Sequence, residues 1–255
     1  MAFPSLSPVG PSRRERVRTA TETEIKATAR RLLVEEGVEA LTLRAIARDM
    51  GMSAPALYRY FDSHEALMEA VVQDLLDELV DVLQAARDAE PADDPAAQMR
   101  AACRAFRRWS LDHPREFQLT FASNVPHRHD SLGALTLDGV VPADVDICDR
   151  LSFGMVFLEI FQKLWRQNQF PVLPDEALDP RLAEQLRAFC LAMPVDMPLG
   201  ALAAFLSGWV ELYGAVTVEV FGHLGFALVD AEPLFELRLA EMAQKVAPAV
   251  ATGDA

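Results

Sequence analysis

Apolar residues recur at helical spacing along most of the chain, and no stretch shows the strict alternation of a half-buried strand. Ile25, Ala29, Leu32 and Leu33 make a first stripe, opened by the capping box Thr21-x-x-Glu24 and closed by Gly37. In a short second helix, Leu43, Ile46, Ala47 and Met50 fall at i, i+3, i+4 and i+7, with Thr42 as N-cap. Gly51 stops this helix, because a tight turn needs a left-handed residue, and Met52 plugs the turn. Ser53 caps a third helix that carries Pro55 in its first turn and ends near Phe61. Asp62 or Ser63 caps a fourth, whose stripe is Met68, Val71, Val72, Leu75, Leu79, Val82 and Leu83. Beyond a linker at Pro91 and Pro95, helices are expected at about 95–112, 115–123, 143–168, 180–192, 199–222 and 231–247, separated by prolines. The expected fold is all-α, with a disordered basic arm over 1–18, a three-helix domain over 19–66 and a larger helical domain over 67–255.

Charge sharpens this division. The 255-residue chain has a net charge of −14, but residues 1–64 hold ten Arg/Lys and eight Asp/Glu, a net +2, while residues 65–255 hold fourteen and thirty, a net −16. The basic end is where a polyanion would dock. Cys103, Cys148 and Cys190 show no CxxC spacing, so neither a zinc ribbon nor a disulfide framework is supported, and they read as small fillers in a reduced, cytoplasmic protein. The N-terminus carries no apolar signal core. The most membrane-like stretch, Met197–Val218, contains Glu211, Pro198 and three glycines and lacks basic flanks, so it reads as a buried helix with no membrane partner.

Two short helices joined by a Gly-centred turn form a helix-turn-helix pattern. The string Leu41-Thr42-Leu43-Arg44-Ala45-Ile46-Ala47, then Gly51-Met52-Ser53, then Leu57-Tyr58-Arg59-Tyr60-Phe61, then Ser63 before Leu67, closely resembles the DNA-binding signature of the TetR family of transcriptional regulators. The resemblance runs from about Thr21 to Leu67. It implies DNA contacts from Thr42, Arg44, Ser53, Ala54, Pro55, Ala56, Tyr58, Tyr60 and His64. Among these, Thr42, Tyr58 and Tyr60 would hold phosphates, and Arg44 would read guanine through a bidentate contact. Ala54, Pro55 and Ala56 would enter the major groove against thymine methyls. His64 departs from the family pattern, which has Lys there as a phosphate contact; Arg13–Arg18 are positioned to compensate.

The C-terminal half resembles the family less specifically. Trp109-Ser-Leu-Asp-His-Pro114-Arg-Glu-Phe117 is similar to a recurrent element, and Gly208-Trp209-Val-Glu-Leu-Tyr213-Gly214 resembles a W-x-x-x-H-G helix with Tyr213 in place of His. The aromatic surplus here suits either helix core or an apolar pocket. The pocket reading takes Phe106, Trp109, Phe117, Phe121, Phe153, Phe157, Phe161 and Trp165 as ligand-binding residues. Gln118, Glu159 and Gln162 would be its polar groups, and the effector would be small and apolar or amphipathic. The helices at about 199–222 and 231–247 are expected to form a homodimer, with Ala201, Ala204, Gly208 and Ala215 allowing close approach. The DNA partner is then a palindromic operator in the nucleoid. No cofactor is implied. His127-x-His129 beside Asp130 lacks a third metal ligand at firm spacing. The sequence lacks the GxGxxG, Walker A, HExxH and GxSxG signatures of common enzymes, so the chain is read as a ligand-released regulator, most simply a repressor.

Overall fold

The computed structural model describes residues 12–122, 152–168, 170–193 and 195–246. Helix α1 (Arg13–Glu36) begins well before Thr21. Ser12 Oγ accepts from the Glu15 amide at 3.2 Å, and the Glu15 carboxylate accepts from the Ser12 amide at 2.6 Å. This capping box satisfies two orphan donors of the first turn. The Thr21 hydroxyl instead donates to the Val17 carbonyl inside the helix, at 3.0 Å. Arg13–Arg18 are therefore helical, which corrects the expected arm; residues 1–11 lie outside the described residues.

A short 3₁₀ turn (Val38–Ala40) leads to α2 (Leu43–Asp49), α3 (Ala54–Leu57) and α4 (His64–Asp88). Helix α3 is shorter than expected. The Tyr60 and Phe61 amides both donate to the Leu57 carbonyl, at 2.9 and 3.2 Å, which tightens the chain into a turn over Tyr58–Tyr60. Ser63, not Asp62, caps α4, accepting from the Ala66 amide at 3.0 Å. Val82, placed in the α4 stripe by spacing, is exposed.

The chain forms two compact units, one through Val72 and one from Gln73, so their border falls inside α4. The first unit has a small core of Ile25, Leu33, Leu41, Ile46, Leu57 and Leu67, all buried. The second contains the rest of α4 and α5 (Pro95–Asp112), α6 (Pro114–Phe117) with a wide π turn to Ala122, α7 (Ser152–Asn168), α8 (Pro180–Ala192), α9 (Leu199–Val220) and α10 (Glu232–Lys245). Among the described residues there is no strand.

Rings close the core of the second unit. Phe106 is fully buried, and the rings of Phe117, Phe121, Phe153, Phe157 and Trp209 stand around it at centroid distances of 6.2–6.5 Å. They come from α6 and its π turn, α7 and α9, so one side chain of α5 ties these elements together. Trp109 anchors α5 to α4 by donating its indole N–H to Glu78 at 3.0 Å.

Arginines on α5 hold α9 and α10. Arg107 makes a bidentate pair with Glu219, at 2.8 and 2.7 Å, and lies over the Phe235 ring at 5.2 Å. The two side chains are only 14% and 12% exposed. Arg104 makes a second bidentate pair with Glu236, at 2.8 and 2.7 Å, on a more open surface, and holds that carboxyl below the usual range. By length and composition α9 is apolar enough to cross a membrane, and only 22% of its apolar stretch is buried, less than the buried helix expected from the sequence. Its Glu211 and Glu219 are instead paired with Lys245 and Arg107 inside the helical unit.

Removing one partner of a nearly buried pair strands the other charge, whereas an exposed pair contributes little. Arg107→Met is expected to lower unfolding free energy by about 3 kcal/mol in denaturant titration, and Arg104→Met by less than about 1 kcal/mol. Adding Glu219→Met to Arg107→Met should recover most of the loss. Equal, small losses for both single variants would show that the Arg107 pair is not a structural clamp.

Candidate functional site

The helix-turn-helix is built from local bonds. Thr42 Oγ1 accepts from the Ala45 amide at 3.1 Å and starts α2. Gly51 sits at φ +65°, and the Met52 amide returns to the Ala47 carbonyl at 2.8 Å, which fixes the turn. Ser53 holds α3 through its backbone carbonyl, which accepts from Ala56 and Leu57 at 2.9 and 3.3 Å; its hydroxyl makes no cap bond. Leu43, Ile46, Ala47 and Leu57 are buried beneath.

On the outer surface, Thr42, Arg44, Ser53, Pro55 and Tyr58 are exposed, and Ala54, Ala56, Tyr60 and His64 are half-buried. Arg44 has no ion-pair partner among the described residues. Tyr60 lies under the Arg18 guanidinium at 5.9 Å, so the basic start of α1 meets the end of the recognition segment. His64 turns inward: its Nε2 donates to the Leu41 carbonyl. The proton needed at Nε2 for that bond is then unavailable to a phosphate, so His64 ties the start of α4 to the residue preceding Thr42.

The second unit contains a cavity of about 620 Å³, within the range of small-molecule sites. Its wall comes from α5, α7, α9, α10 and the segment after α7. That segment bears tightly on α9: a Cβ added at Gly200 would stand 1.8 Å from the Leu173 carbonyl oxygen, so only glycine admits this approach. Phe157 and Phe161 line the cavity. Six others assigned to a pocket do not. Phe106, Phe117, Phe121 and Phe153 are packed ring against ring, Trp109 is bonded to Glu78, and Trp165 packs on Phe170 at 5.1 Å. The expected polar groups are also elsewhere. Gln118 is exposed, Glu159 pairs with Arg87, and buried Gln162 accepts from the Asp196 amide at 2.8 Å. Cys103 is in the wall, and burial pushes its thiol up to about 12, which makes it apolar lining rather than a nucleophile. His127, His129 and Asp130 lie outside the described residues, as does Cys148; among the described residues no cluster of His, Cys, Asp and Glu could hold a metal.

Comparison with known proteins decides the family. Residues 25–71 match the model of bacterial regulatory proteins of the tetR family, and residues 99–242, more than half the chain, match the tetracyclin repressor-like C-terminal domain. The chain belongs to the TetR family. It is similar to the HTH-type transcriptional regulator Rv1816 of Mycobacterium tuberculosis, 27% identical over 231 residues that cover 84% of this chain and 86% of that protein. The crystal structure of the regulatory protein SCO4313 covers 91% of this chain and 98% of its own, with 28% identity and a TM-score of 0.61. A TetR/AcrR-family regulator from Thermobifida fusca, 20% identical, shares the fold, covering 88% of this chain and 97% of its own with a TM-score of 0.51. This TetR-family chain is thus a transcriptional regulator with a DNA-binding helix-turn-helix.

Sequence reading missed part of the cavity wall in this TetR-family member. Phe205, Trp209 and Leu212 line the cavity from α9; Trp209 was part of the aromatic surplus but was not assigned to the ligand site, and Phe205 and Leu212 were not singled out. Phe170 is buried in a segment between helices, where no periodicity could reveal it. Among the small residues expected to admit a partner helix, Ala201 is buried within the chain, and Ala204 and Gly208 line the cavity. At the family's His position, Tyr213 donates its hydroxyl to the Phe121 carbonyl at 3.3 Å.

Proposed function

We propose that this regulator is a homodimeric cytoplasmic repressor that a small apolar or amphipathic effector releases from a palindromic operator. The carrying observation is the pairing, in one chain, of a helix-turn-helix with a separate unit that contains a cavity of about 620 Å³. Arg44 serves as base reader, Thr42, Tyr58 and Tyr60 hold phosphates, and Ser53, Ala54, Pro55 and Ala56 lie along the groove. His64 acts through Leu41 by holding Thr42 in place. The dimer reading is supported by α9 and α10, where Val210, Leu234 and Leu237 leave apolar surface uncovered.

Release is a population shift. An effector that binds the DNA-incompetent conformer ~100-fold tighter biases the equilibrium by about 2.7 kcal/mol per site. Among the described helices α4 alone carries residues of both units, so a shift of its Gln73–Asp88 portion is passed along one continuous backbone.

In titrations of operator DNA at fixed salt, Arg44→Ala is expected to cost about 1–3 kcal/mol and to relax one base preference. Unchanged affinity would remove Arg44 from the reading role. Light scattering should give a two-chain mass at micromolar concentration; a single-chain mass would overturn the dimer.

A further inference from the structure

The wall of the cavity carries an uneven set of charges. Helix α5 bears Arg100, Arg104 and Arg107 at i, i+4 and i+7, one face of the helix. Glu236 neutralises Arg104, and Glu219 with Glu232 neutralises Arg107. Among the described residues, no carboxylate pairs with Arg100, which is half-buried and lines the cavity. The two other charged side chains of the wall, Glu211 and Lys245, neutralise each other. The cavity therefore offers one uncompensated positive charge, set in a wall that is otherwise mostly apolar: Phe157, Phe161, Phe170, Trp209 and Leu212 are part of it.

We propose that the cavity binds a small amphipathic acid, with its single anionic head group at Arg100 and its apolar body against the aromatic wall. Guanidinium matches a carboxylate in shape and can bond it twice. A dianion would leave one charge unpaired in a largely apolar site, which is costly. A neutral ligand would leave Arg100 without a counter-ion, and a cation would meet it directly. Residues 65–255 carry a net −16, so an anion entering this unit needs a specific cation to hold it. Leu239, Met242 and Lys245 of α10 are also part of the wall, so occupancy is felt by a helix of the proposed dimer surface.

This inference rests on the reading of the second unit as an effector-binding unit, and the two are separable by experiment. Decanoate, 1-decanol and decylamine are titrated into the full chain, followed through tryptophan emission, since Trp209 is in the wall. Decanoate should bind at least tenfold tighter than decanol, and decylamine most weakly. Arg100→Gln should abolish the preference for the acid while leaving decanol affinity and the thermal melt unchanged, and Arg100→Lys should keep most of that preference. Equal affinity for acid and alcohol in the unmodified chain, a preference that survives Arg100→Gln, or no binding of any of the three would overturn the proposal. Gel shifts at saturating decanoate test the other reading separately: tight Arg100-dependent binding with no change in DNA affinity sinks the effector mechanism and leaves the acid site standing.

Discussion

Phe106 is the side chain on which the second unit depends. Its ring, without solvent exposure, is where α5, α6, α7 and α9 meet. Replacing such a residue with alanine costs about 3–5 kcal/mol in comparable cores. Phe117, Phe121 and Phe153 fill the space between one another and stay out of the cavity wall, while Phe157 and Trp209 border the cavity on their other side. The cavity opens next to them, where Ala203, Ala204 and Gly208 leave room beside α9, and the segment after α7 closes on α9 at Gly200. Packing density in one place and its absence in the next are thus two sides of the same arrangement.

Electrostatics adds orientation to this packing. The α5 arginines meet glutamates of α9 and α10 as bidentate pairs, which fix direction as well as distance. The row is complete at Arg104 and Arg107 and, among the described residues, lacks a carboxylate at Arg100. A helix that is clamped at one end and faces a cavity at the other is placed to respond to what enters that cavity.

The first unit was largely legible in the sequence. Its elements are set by local rules: Thr42 as cap, Gly51 in the left-handed turn and Pro55 at the start of α3. The stripe of α4, Val82 apart, and the range of α5 were legible as well. What escaped were choices between equivalent local signals. Ser12 and Glu15 compete with Thr21 and Glu24 for the same capping geometry, and the upstream pair forms the box. His64 could be placed by its offset, but its bond to the Leu41 carbonyl joins residues 23 apart in sequence and follows only from tertiary structure. The aromatic surplus was visible, but composition does not distinguish a ring that packs on rings from one that borders a void. Phe157 lies on α7 at the boundary and does both.

In the proposed dimer, two copies of this chain would present their helix-turn-helix segments to successive turns of one DNA duplex. Selection of bound sequences from a pool of random duplexes, carried out with the full chain at moderate salt, tests it most directly. An inverted repeat whose half-site centres lie about 10 base pairs apart, or a simple multiple of that, is expected to be enriched. Enrichment of no sequence above background, or of a single half-site bound by one chain, would contradict it.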